Sequence, residues 1–362
     1  MDVCVVVEVN GYKVWNEVMS YAVTIGIPVY NAHKFIGRAL DTALSQTFTN
    51  LEVLIVDDCS TDDTLTIIEQ YQKTHQRGNC IRVLRQEKNG GPSAARNRMI
   101  DEARGHFLYF MDVDDTIPVF AIATLYDAAV GYRAEVVYGS HKHVEMYDKR
   151  HTTSLFQYPL RVFQKKGELA SYAYLHYGKF QVPVWNVLIN VFFLREIGLR
   201  FISARFWEDM AFTYDLVSYV NRAVLLPVIT YNYLCRPNSL SNFQERDSIP
   251  RSEIEQNIAT IDHIKLGCAE LRDKDYVGYR SYDVVMNSFY MVCQILKIRE
   301  KITPSFTDEE LQLIMYHPLS LDDIFNSRRR LMGNLVLWSM SRMPLWLFMI
   351  TVKITGKLKR VL

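Results

Sequence analysis

Short apolar runs alternate with stretches of helical periodicity in the first third of the chain. Four runs rich in β-branched and aromatic residues predict strands at residues 22–27, 51–56, 81–84 and 107–111. Pro28 has no backbone N–H and is expected to end the first of these strands. Strands that alternate with helices of this length are typical of an α/β fold with a mainly parallel sheet covered by helices.

The stretches between these runs predict helices. Apolar residues recur at helical spacing from Phe35 to Leu44. Ser60 and Asp63 resemble a capping box that opens the next helix, and Ser93 is a candidate N-cap for the helix that follows Gly90-Gly91. Beyond residue 250 the pattern is helical to the end.

Ligands of such sheets bind at the carboxyl ends of the strands. Candidate chemistry is therefore expected just after residues 27, 56, 84 and 111. Two acidic clusters lie at these points: Asp57-Asp58 follows the second strand, and Asp112, Asp114 and Asp115 follow the fourth. Each cluster alone could be a solvated acidic turn, but ionised carboxylates packed this densely repel one another and favour a bound cation. Hard oxygen ligands select Mg²⁺ or Mn²⁺.

Such a cation suits the departure of a diphosphate. Breaking a glycosyl–phosphate bond builds negative charge on the phosphate oxygen, which a metal ion stabilises as a Lewis acid. Arg96 is a candidate second cation for this charge, with Lys88 and Arg98 as weaker candidates, although each could equally be an ordinary surface residue.

Composition narrows the alternatives. The chain has 362 residues, 49% hydrophobic and 22% charged, and a formal net charge of +1, so no bulk field attracts nucleic acid. Six scattered cysteines without a C-x-x-C pair are typical of thiols in a reducing cytosol. The N-terminus lacks a signal-peptide pattern. We therefore expect a cytoplasmic protein with no nucleic-acid partner.

Several motifs occur in order along the chain: Ile27-Pro-Val-Tyr-Asn31, Ser45-Gln-Thr-Phe48, Leu54-Ile-Val-Asp-Asp-Cys-Ser-Thr-Asp62, Gly91-Pro-Ser-Ala-Ala-Arg-Asn97, Phe110-Met-Asp-Val-Asp-Asp115, Val184-Trp-Asn186, Trp207-Glu-Asp209 and Arg236-Pro-Asn-Ser-Leu-Ser241. Together they resemble the inverting family 2 glycosyltransferases of the GT-A fold, especially bacterial surface-polysaccharide enzymes. Each is common alone, whereas the ordered set is highly specific.

The resemblance implies a nucleotide pocket lined by Pro28, Tyr30 and Asn31, with Tyr30 near the base. It implies that Asp58 accepts a hydrogen bond from the base, with Asp57 beside it.

The remaining site residues also follow from the resemblance. It implies that Arg96 lies near the diphosphate. Residues 112–115 resemble the D-x-D element of the family, with Asp114 near the ribose and Asp115 as the leading metal ligand among Asp112, Asp114 and Asp115. Glu208 and Asp209 resemble the acidic pair of the family, in which the aspartate is the general base. Trp185 and Trp207 could stack on an acceptor sugar or belong to the core.

The resulting hypothesis is an enzyme that moves a sugar from a nucleotide diphosphate sugar, with UDP as the commonest base, to a glycan or lipid-linked acceptor in polysaccharide biosynthesis. A non-catalytic nucleotide-sugar-binding relative is one alternative. A haloacid-dehalogenase-like phosphatase is another, because Asp112-Val-Asp114-Asp115-Thr116 also fits a D-x-D-x-T element, but three strands precede it here and that order is wrong for the class.

The segments expected along the chain differ in character. They are an N-terminal extension (1–20), a GT-A domain (21–245) with a nucleotide-sugar half (21–140) and an acceptor half (141–245), a helical region (246–330) and an amphipathic basic tail (331–362). The tail is flanked by basic residues and interrupted by Arg342 and Pro344, which favours an interfacial helix at the inner face of the cell membrane over a span. The alternative is a terminal helix packed on the catalytic domain or on a partner subunit, and a homo-oligomer is left open.

Overall fold

The structure is a computed structural model that describes residues 5–9, 12–16, 19–145, 153–177, 182–204, 207–235 and 247–362, with the backbone alone described up to residue 16. The strands are β1 (Val5–Val9), β2 (Tyr12–Asn16), β3 (Tyr21–Val29), β4 (Leu51–Asp57), β5 (Ile81–Arg85), β6 (Gly105–Phe110), β7 (Val136–Glu145), β8 (Thr153–Phe156), β9 (Arg161–Phe163), β10 (Val187–Asn190), β11 (Ala223–Cys235), β12 (Ile249–Pro250) and β13 (Ile302–Thr303). The helices are α1 (Ile36–Leu44), α2 (Thr64–Thr74), α3 (Gly91–Glu102), α4 (Ala121–Gly131), α5 (Glu168–Tyr177), α6 (Val191–Glu196), α7 (Glu208–Tyr219), α8 (Arg251–Glu270), α9 (Val277–Lys297), α10 (Asp308–Ile314), α11 (Leu321–Ser327), α12 (Leu331–Met340) and α13 (Leu345–Leu358).

The chain divides into two compact units. The sheet unit comprises Met1–Lys165, Val184–Arg200 and Val220–Pro237, and the helical unit comprises Lys166–Pro183, Phe201–Tyr219 and Asn238–Leu362. This division does not test the domain boundaries expected from the sequence, which stay a prediction.

Within the described residues, the sheet unit holds a nine-stranded mixed sheet in the order β5-β4-β3-β6-β10-β7-β11-β9, with β8 paired to β7. Neighbours among β5, β4, β3 and β6 are parallel, as are β7 and β11. Strand β4 is buried along its whole length, as expected where helices cover both faces of a sheet. This arrangement confirms the predicted α/β fold class.

One edge of the sheet collects the carboxyl ends of six strands. Both β6 and β7 run antiparallel to β10, so they share one direction, and β3, β4, β5 and β11 run with them. The acidic clusters after β4 and β6 therefore emerge at the same edge, on either side of β3.

Pro28 does not end the first strand, contrary to the expectation from its missing N–H. Strand β3 continues to Val29, and Pro28 pairs in register with Val56 of β4. The carbonyl of Gly26 accepts from Met111 on the β6 side, and backbone groups alternate sides along a strand, so the nitrogen of Pro28 also faces that side. The β3–β6 ladder ends at Gly26, and no ladder hydrogen bond is lost.

Two predicted helix caps are also wrong. Helix α2 begins at Thr64, and Asp63 at its N-cap makes no side-chain capping hydrogen bond, while the Ser60 hydroxyl accepts from Asn31 N instead. Helix α3 begins at Gly91, two residues before the expected cap Ser93, with Gly90 at the N-cap. In the first case the predicted capping side chain bonds to a distant residue, and the Thr64 N–H donates to the nearby Asp62 instead. In the second case a distant carboxylate, that of Asp58, accepts from Gly90 and Gly91.

The N-terminal strands β1 and β2 form a two-stranded antiparallel pair in which Val5 lies opposite Asn16. In the part of the chain that the structure describes, this pair is a sheet separate from the nine-stranded one.

The helical unit holds α5, α7 and α8–α13 with the short parallel pair β12–β13. Two cations are buried in it and bonded to carbonyls: Arg280 Nη1 lies 2.6 Å from the oxygen of Tyr214, and Lys265 Nζ lies 2.6 Å from the oxygen of Ile314. Among the helices of the described ranges, none is both long and apolar enough to cross a membrane.

Candidate active site

The loop after β3 is tied to the loop after β4 at the carboxyl edge. Asn31 adopts a left-handed backbone with φ of 48°, a conformation that asparagine tolerates better than most residues. Its Oδ1 accepts from Thr61 N at 2.8 Å, and its own N–H donates to the Ser60 hydroxyl at 3.0 Å. Tyr30, just before it, leaves 53% of its surface exposed. The fold thus fixes the backbone and leaves an aromatic ring in the open.

Asp58 links the β4 loop to helix α3. Its two carboxylate oxygens accept from Gly90 N at 2.8 Å and Gly91 N at 2.7 Å, and Asn89 Nδ2 donates to its backbone carbonyl at 3.2 Å. The first N–H groups of a helix lack partners within the helix and attract negative charge, so the buried carboxylate caps α3 from a distant part of the chain.

Asp57 is the last residue of β4 and is fully buried. Its carboxylate accepts from Ser60 N at 3.2 Å and lies 3.4 Å from Arg85 Nε at the end of β5. These contacts hold the turn after β4, so Asp57 supports the position of Asp58.

Arg96, on α3, reaches the acidic turn that follows β6. Its Nη2 lies 3.0 Å from Asp112 Oδ1 in a partly buried ion pair. Arg38, on α1, adds a second guanidinium at this turn and donates to the Asp114 carbonyl at 2.7 Å. Helix α3 therefore connects Asp58 at its start with Asp112 through Arg96.

Asp115 is fully buried, and both of its carboxylate oxygens accept hydrogen bonds from β11. Tyr231 Oη donates to Oδ2 at 2.7 Å, and Leu234 N donates to Oδ1 at 2.8 Å. Burial, together with the charges of Asp112 and Asp114, raises the pKa of the Asp115 carboxyl well above its usual range. The Tyr231 hydroxyl also accepts from Asp112 N at 3.1 Å, so one hydroxyl group holds both ends of the acidic turn.

The donor set at this turn fits a divalent cation held by few protein ligands. Within the described ranges, no group of three or more histidine, cysteine, aspartate or glutamate side chains is arranged to hold a metal. Mg²⁺ commonly binds through only one or two carboxylates, with phosphate oxygens and water completing its shell. Asp112 and Asp114 are partly exposed carboxylates that suit this role, whereas the oxygens of Asp115 are already engaged.

Aromatic rings and histidines pack behind the acidic turn. Trp185 is buried and stacks on Tyr231, with 4.6 Å between the ring centroids, and on Tyr233 at 5.4 Å. His141 and His143 on β7 bring their Nε2 atoms within 3.1 Å, and burial lowers the pKa of both, that of His141 to about 4. Trp185 is thus a core residue that supports Tyr231 rather than an exposed platform for a sugar.

Glu208 and Asp209 open helix α7 in the helical unit. Trp207, just before them, has a left-handed φ of 64°; Glu208 is buried and Asp209 is partly exposed. The motif Arg236-Pro-Asn-Ser-Leu-Ser241 lies outside the described residues.

The structure brings Asp57, Asp58, Arg96 and residues 112–115 into one network in the sheet unit. Sequence reasoning missed Tyr231 and Arg38. Tyr231 comes more than a hundred residues after the turn it holds, and nothing local marks either residue.

Comparison with known proteins finds a family to which part of this chain is similar. The model of the family "Glycosyl transferase family 2" matches residues 24–182. "Glycosyltransferase GlyG" of Streptococcus pneumoniae is 34% identical over 34% of this chain and 40% of its own length. "Uncharacterized glycosyltransferase EpsJ" of Bacillus subtilis is 29% identical over 68% of this chain and 72% of its own. The alignment thus spans less than half of the Streptococcus protein.

A solved structure extends the likeness to most of the chain. TarS residues 1–349 of Staphylococcus aureus, in complex with UDP-GlcNAc, match with a TM-score of 0.57 and 18% identity, covering 88% of this chain and 90% of that one. By sequence, TarS, named a poly(ribitol-phosphate) β-N-acetylglucosaminyltransferase, is 42% identical over 28% of this chain and 17% of its own length. The structural match confirms the predicted GT-A fold.

Proposed function

We propose that this chain, which belongs to the family 2 glycosyltransferases, transfers a sugar from a nucleotide diphosphate sugar to a glycan or lipid-linked acceptor in polysaccharide biosynthesis. The observation that carries the proposal is the network at the carboxyl edge of the sheet, in which α3 joins Asp58 to the Arg96–Asp112 ion pair. Ligands of α/β sheets bind at the carboxyl ends of the strands, so the position of these carboxylates and this guanidinium supports the proposal.

A UDP-sugar is the donor class with the most support. TarS, which shares the fold, was crystallised with UDP-GlcNAc. Pro28, Tyr30 and Asn31 would line the nucleotide pocket, with the exposed ring of Tyr30 near the base. Asp58 would then accept a hydrogen bond from the base. It would either give up its bond to Gly90 or Gly91 or keep these bonds beside the new one.

We propose Asp112 and Asp114 as the ligands of Mn²⁺ or Mg²⁺, with Asp115 as the residue that positions them through Tyr231. When bound, the metal supplies a Lewis acid for the charge that develops on the diphosphate. Arg96 supplies a positive charge to the same phosphate oxygens, and its ion pair with Asp112 keeps it oriented before the donor arrives.

We propose Asp209 as the general base, on the strength of the Trp207-Glu-Asp209 motif, with Glu208 beside it. The carboxylate takes the proton of an acceptor hydroxyl, whose oxygen then forms a bond to the anomeric carbon. The bond from that carbon to the phosphate oxygen breaks, and the nucleoside diphosphate leaves with the electron pair. Attack opposite the leaving group inverts the anomeric configuration. We place this reaction in the cytoplasm, with an acceptor at the inner face of the cell membrane.

A donor and acceptor screen tests this proposal. The purified chain with Mn²⁺ would be given UDP-GlcNAc, UDP-glucose, UDP-galactose, GDP-mannose and dTDP-glucose, each with a panel of glycoside acceptors. We expect nucleoside diphosphate release with one UDP-sugar and, by proton NMR, a product of inverted configuration. Asp209→Asn is expected to reduce turnover at least a hundredfold, the scale of general base catalysis, without weakening UDP binding. Retained configuration would refute the base mechanism, and failure to bind any of the nucleotides would refute the function itself.

A further inference from the structure

The C-terminal segment concentrates positive charge. Residues 328–362 contain eight lysines and arginines and no acidic residue, whereas the whole chain has a formal net charge of +1. The rest of the chain is therefore net −7. Such a separation creates a local field that attracts anionic partners despite a near-neutral total charge.

Helix α13 is already docked in the helical unit through one face. Phe348, Met349, Val352 and Gly356 form this buried face. A Cβ atom at Gly356 would come within 3.2 Å of Cys293 Sγ on α9, so the helices approach closely there. The helix therefore has its structural support without using its other face.

The opposite face of α13 is apolar and exposed. Trp346, Ile350, Ile354 and Leu358 follow one another at intervals of four residues, and 66%, 48%, 55% and 78% of their respective surfaces are exposed. Residues four apart on a helix lie on one face, so these four side chains form a continuous exposed stripe. A helix that is apolar on both faces is expected to bury the second face against something.

Basic residues border this exposed stripe. Lys353 and Lys357 lie on the same helix, one position before Ile354 and Leu358, and both are exposed. An apolar stripe with lysines at its border is the pattern of helices that lie in the plane of a membrane interface, with apolar residues among the acyl chains and lysines at the headgroups. Tryptophan, as at position 346, is enriched at that depth.

We propose that the exposed stripe of α13 docks on an anionic membrane surface, with Lys353 and Lys357 facing the lipid headgroups. The helix has 14 residues, about 21 Å, which is too short to span a bilayer but suits an interfacial position. A second copy of this chain is a poorer occupant, because a symmetric contact would bring two segments with eight positive charges each together. The proposal concerns a surface distinct from the nucleotide pocket and is tested without nucleotide.

Co-sedimentation of the full chain with vesicles tests the docking. We expect sedimentation with vesicles of phosphatidylcholine and phosphatidylglycerol, and a weaker effect with phosphatidylcholine alone or at high salt. Ile350→Gln with Ile354→Gln is expected to reduce partitioning at least tenfold. Lys353→Gln with Lys357→Gln is expected to reduce it roughly 30-fold on anionic vesicles.

Matched controls distinguish docking through the stripe from loss of folding and from nonspecific vesicle binding. Leu266 and Leu313 are exposed leucines on α8 and α10, and the double change to glutamine removes comparable apolar surface outside the stripe. Lys73→Gln with Lys297→Gln removes the same charge elsewhere. Both controls should sediment like the wild type, and thermal unfolding should show all variants folded.

Three results would overturn the proposal. The first is a folded wild type that does not sediment with anionic vesicles, and the second is a variant with Ile350→Gln and Ile354→Gln that sediments as the wild type does. The third is a concentration-dependent rise in mass by light scattering, abolished by Ile350→Gln with Ile354→Gln, in a protein that does not bind vesicles. The third result would assign the stripe to self-association.

Discussion

Replacing Tyr231 with phenylalanine removes the hydroxyl group that holds the acidic turn to β11. That hydroxyl donates to Asp115 Oδ2 at 2.7 Å and accepts from Asp112 N at 3.1 Å, and the phenol ring stays stacked on Trp185. A typical hydrogen bond contributes about 1 kcal/mol to the free energy of unfolding, so the loss of these two bonds is about 2 kcal/mol. Losing these bonds lowers the free energy of unfolding, changes the geometry of the turn, or does both.

The second consequence is functional. If Asp112 and Asp114 hold the metal, a loosened turn weakens metal-dependent UDP binding. A loss of about 1.4 kcal/mol in the binding free energy corresponds to a tenfold rise in Kd. Isothermal titration of UDP with Mn²⁺, alongside urea unfolding, measures both effects. We expect Tyr231→Phe to lose at least tenfold in UDP affinity with Mn²⁺ and to show little change with EDTA.

Tyr233→Phe is the matched control. Tyr233 lies two residues further along β11 and stacks on the same tryptophan, but its hydroxyl is not among the donors to Asp115. We expect this variant to bind UDP like the wild type. The Tyr231 hydroxyl does not hold the turn if both variants behave alike, or if Tyr231→Phe keeps both its stability and its metal-dependent affinity.

Two further predictions concern stability. Burial lowers the pKa of Lys265 from 10.5 to about 8, so between these values the unfolded chain binds more protons than the folded one, and the free energy of unfolding rises with pH in that window by up to about 3 kcal/mol. Urea unfolding at pH 7 and pH 10 should show a smaller rise for Lys265→Met than for the wild type, and an equal rise contradicts the buried-cation account. Asp58→Ala removes the carboxylate that caps α3 through Gly90 and Gly91 and should cost about 2–3 kcal/mol by urea unfolding. Asp63→Ala, at an N-cap without a side-chain bond, should cost under about 0.5 kcal/mol, and equal costs would argue against the cap.

The sequence predicts the strands and the position of the acids because both signals are local. A short, mostly apolar run followed by carboxylates identifies β4 and β6 directly, and parallel strands place their ends at one edge. The burial of Asp115 has no such signal. It depends on Tyr231 and Leu234, which a topology with β7 and β11 at the far side of the sheet brings to the turn.

The caps show the same limit. Ser60 and Ser93 have suitable spacing for local capping, but Ser60 bonds to Asn31 and the cap of α3 comes from Asp58. Local sequence propensity does not predict a hydrogen bond to a residue about thirty positions away. Pro28 is the converse case, since a local rule against proline in central strands fails where the neighbouring ladder has already ended.

The central claim is that residues 112–115 bind a nucleoside diphosphate through a divalent cation. The most direct measurement is a calorimetric titration of UDP into the chain with Mn²⁺ and with EDTA, for the wild type, for Asp112→Asn with Asp114→Asn, and for Asp63→Asn as an exposed acidic control. We predict that UDP binds the wild type and the control with Mn²⁺, and that affinity falls at least tenfold with EDTA or in the double variant. UDP affinity that is indifferent to both the metal and the double variant would contradict the account, as would a folded wild type that does not bind UDP.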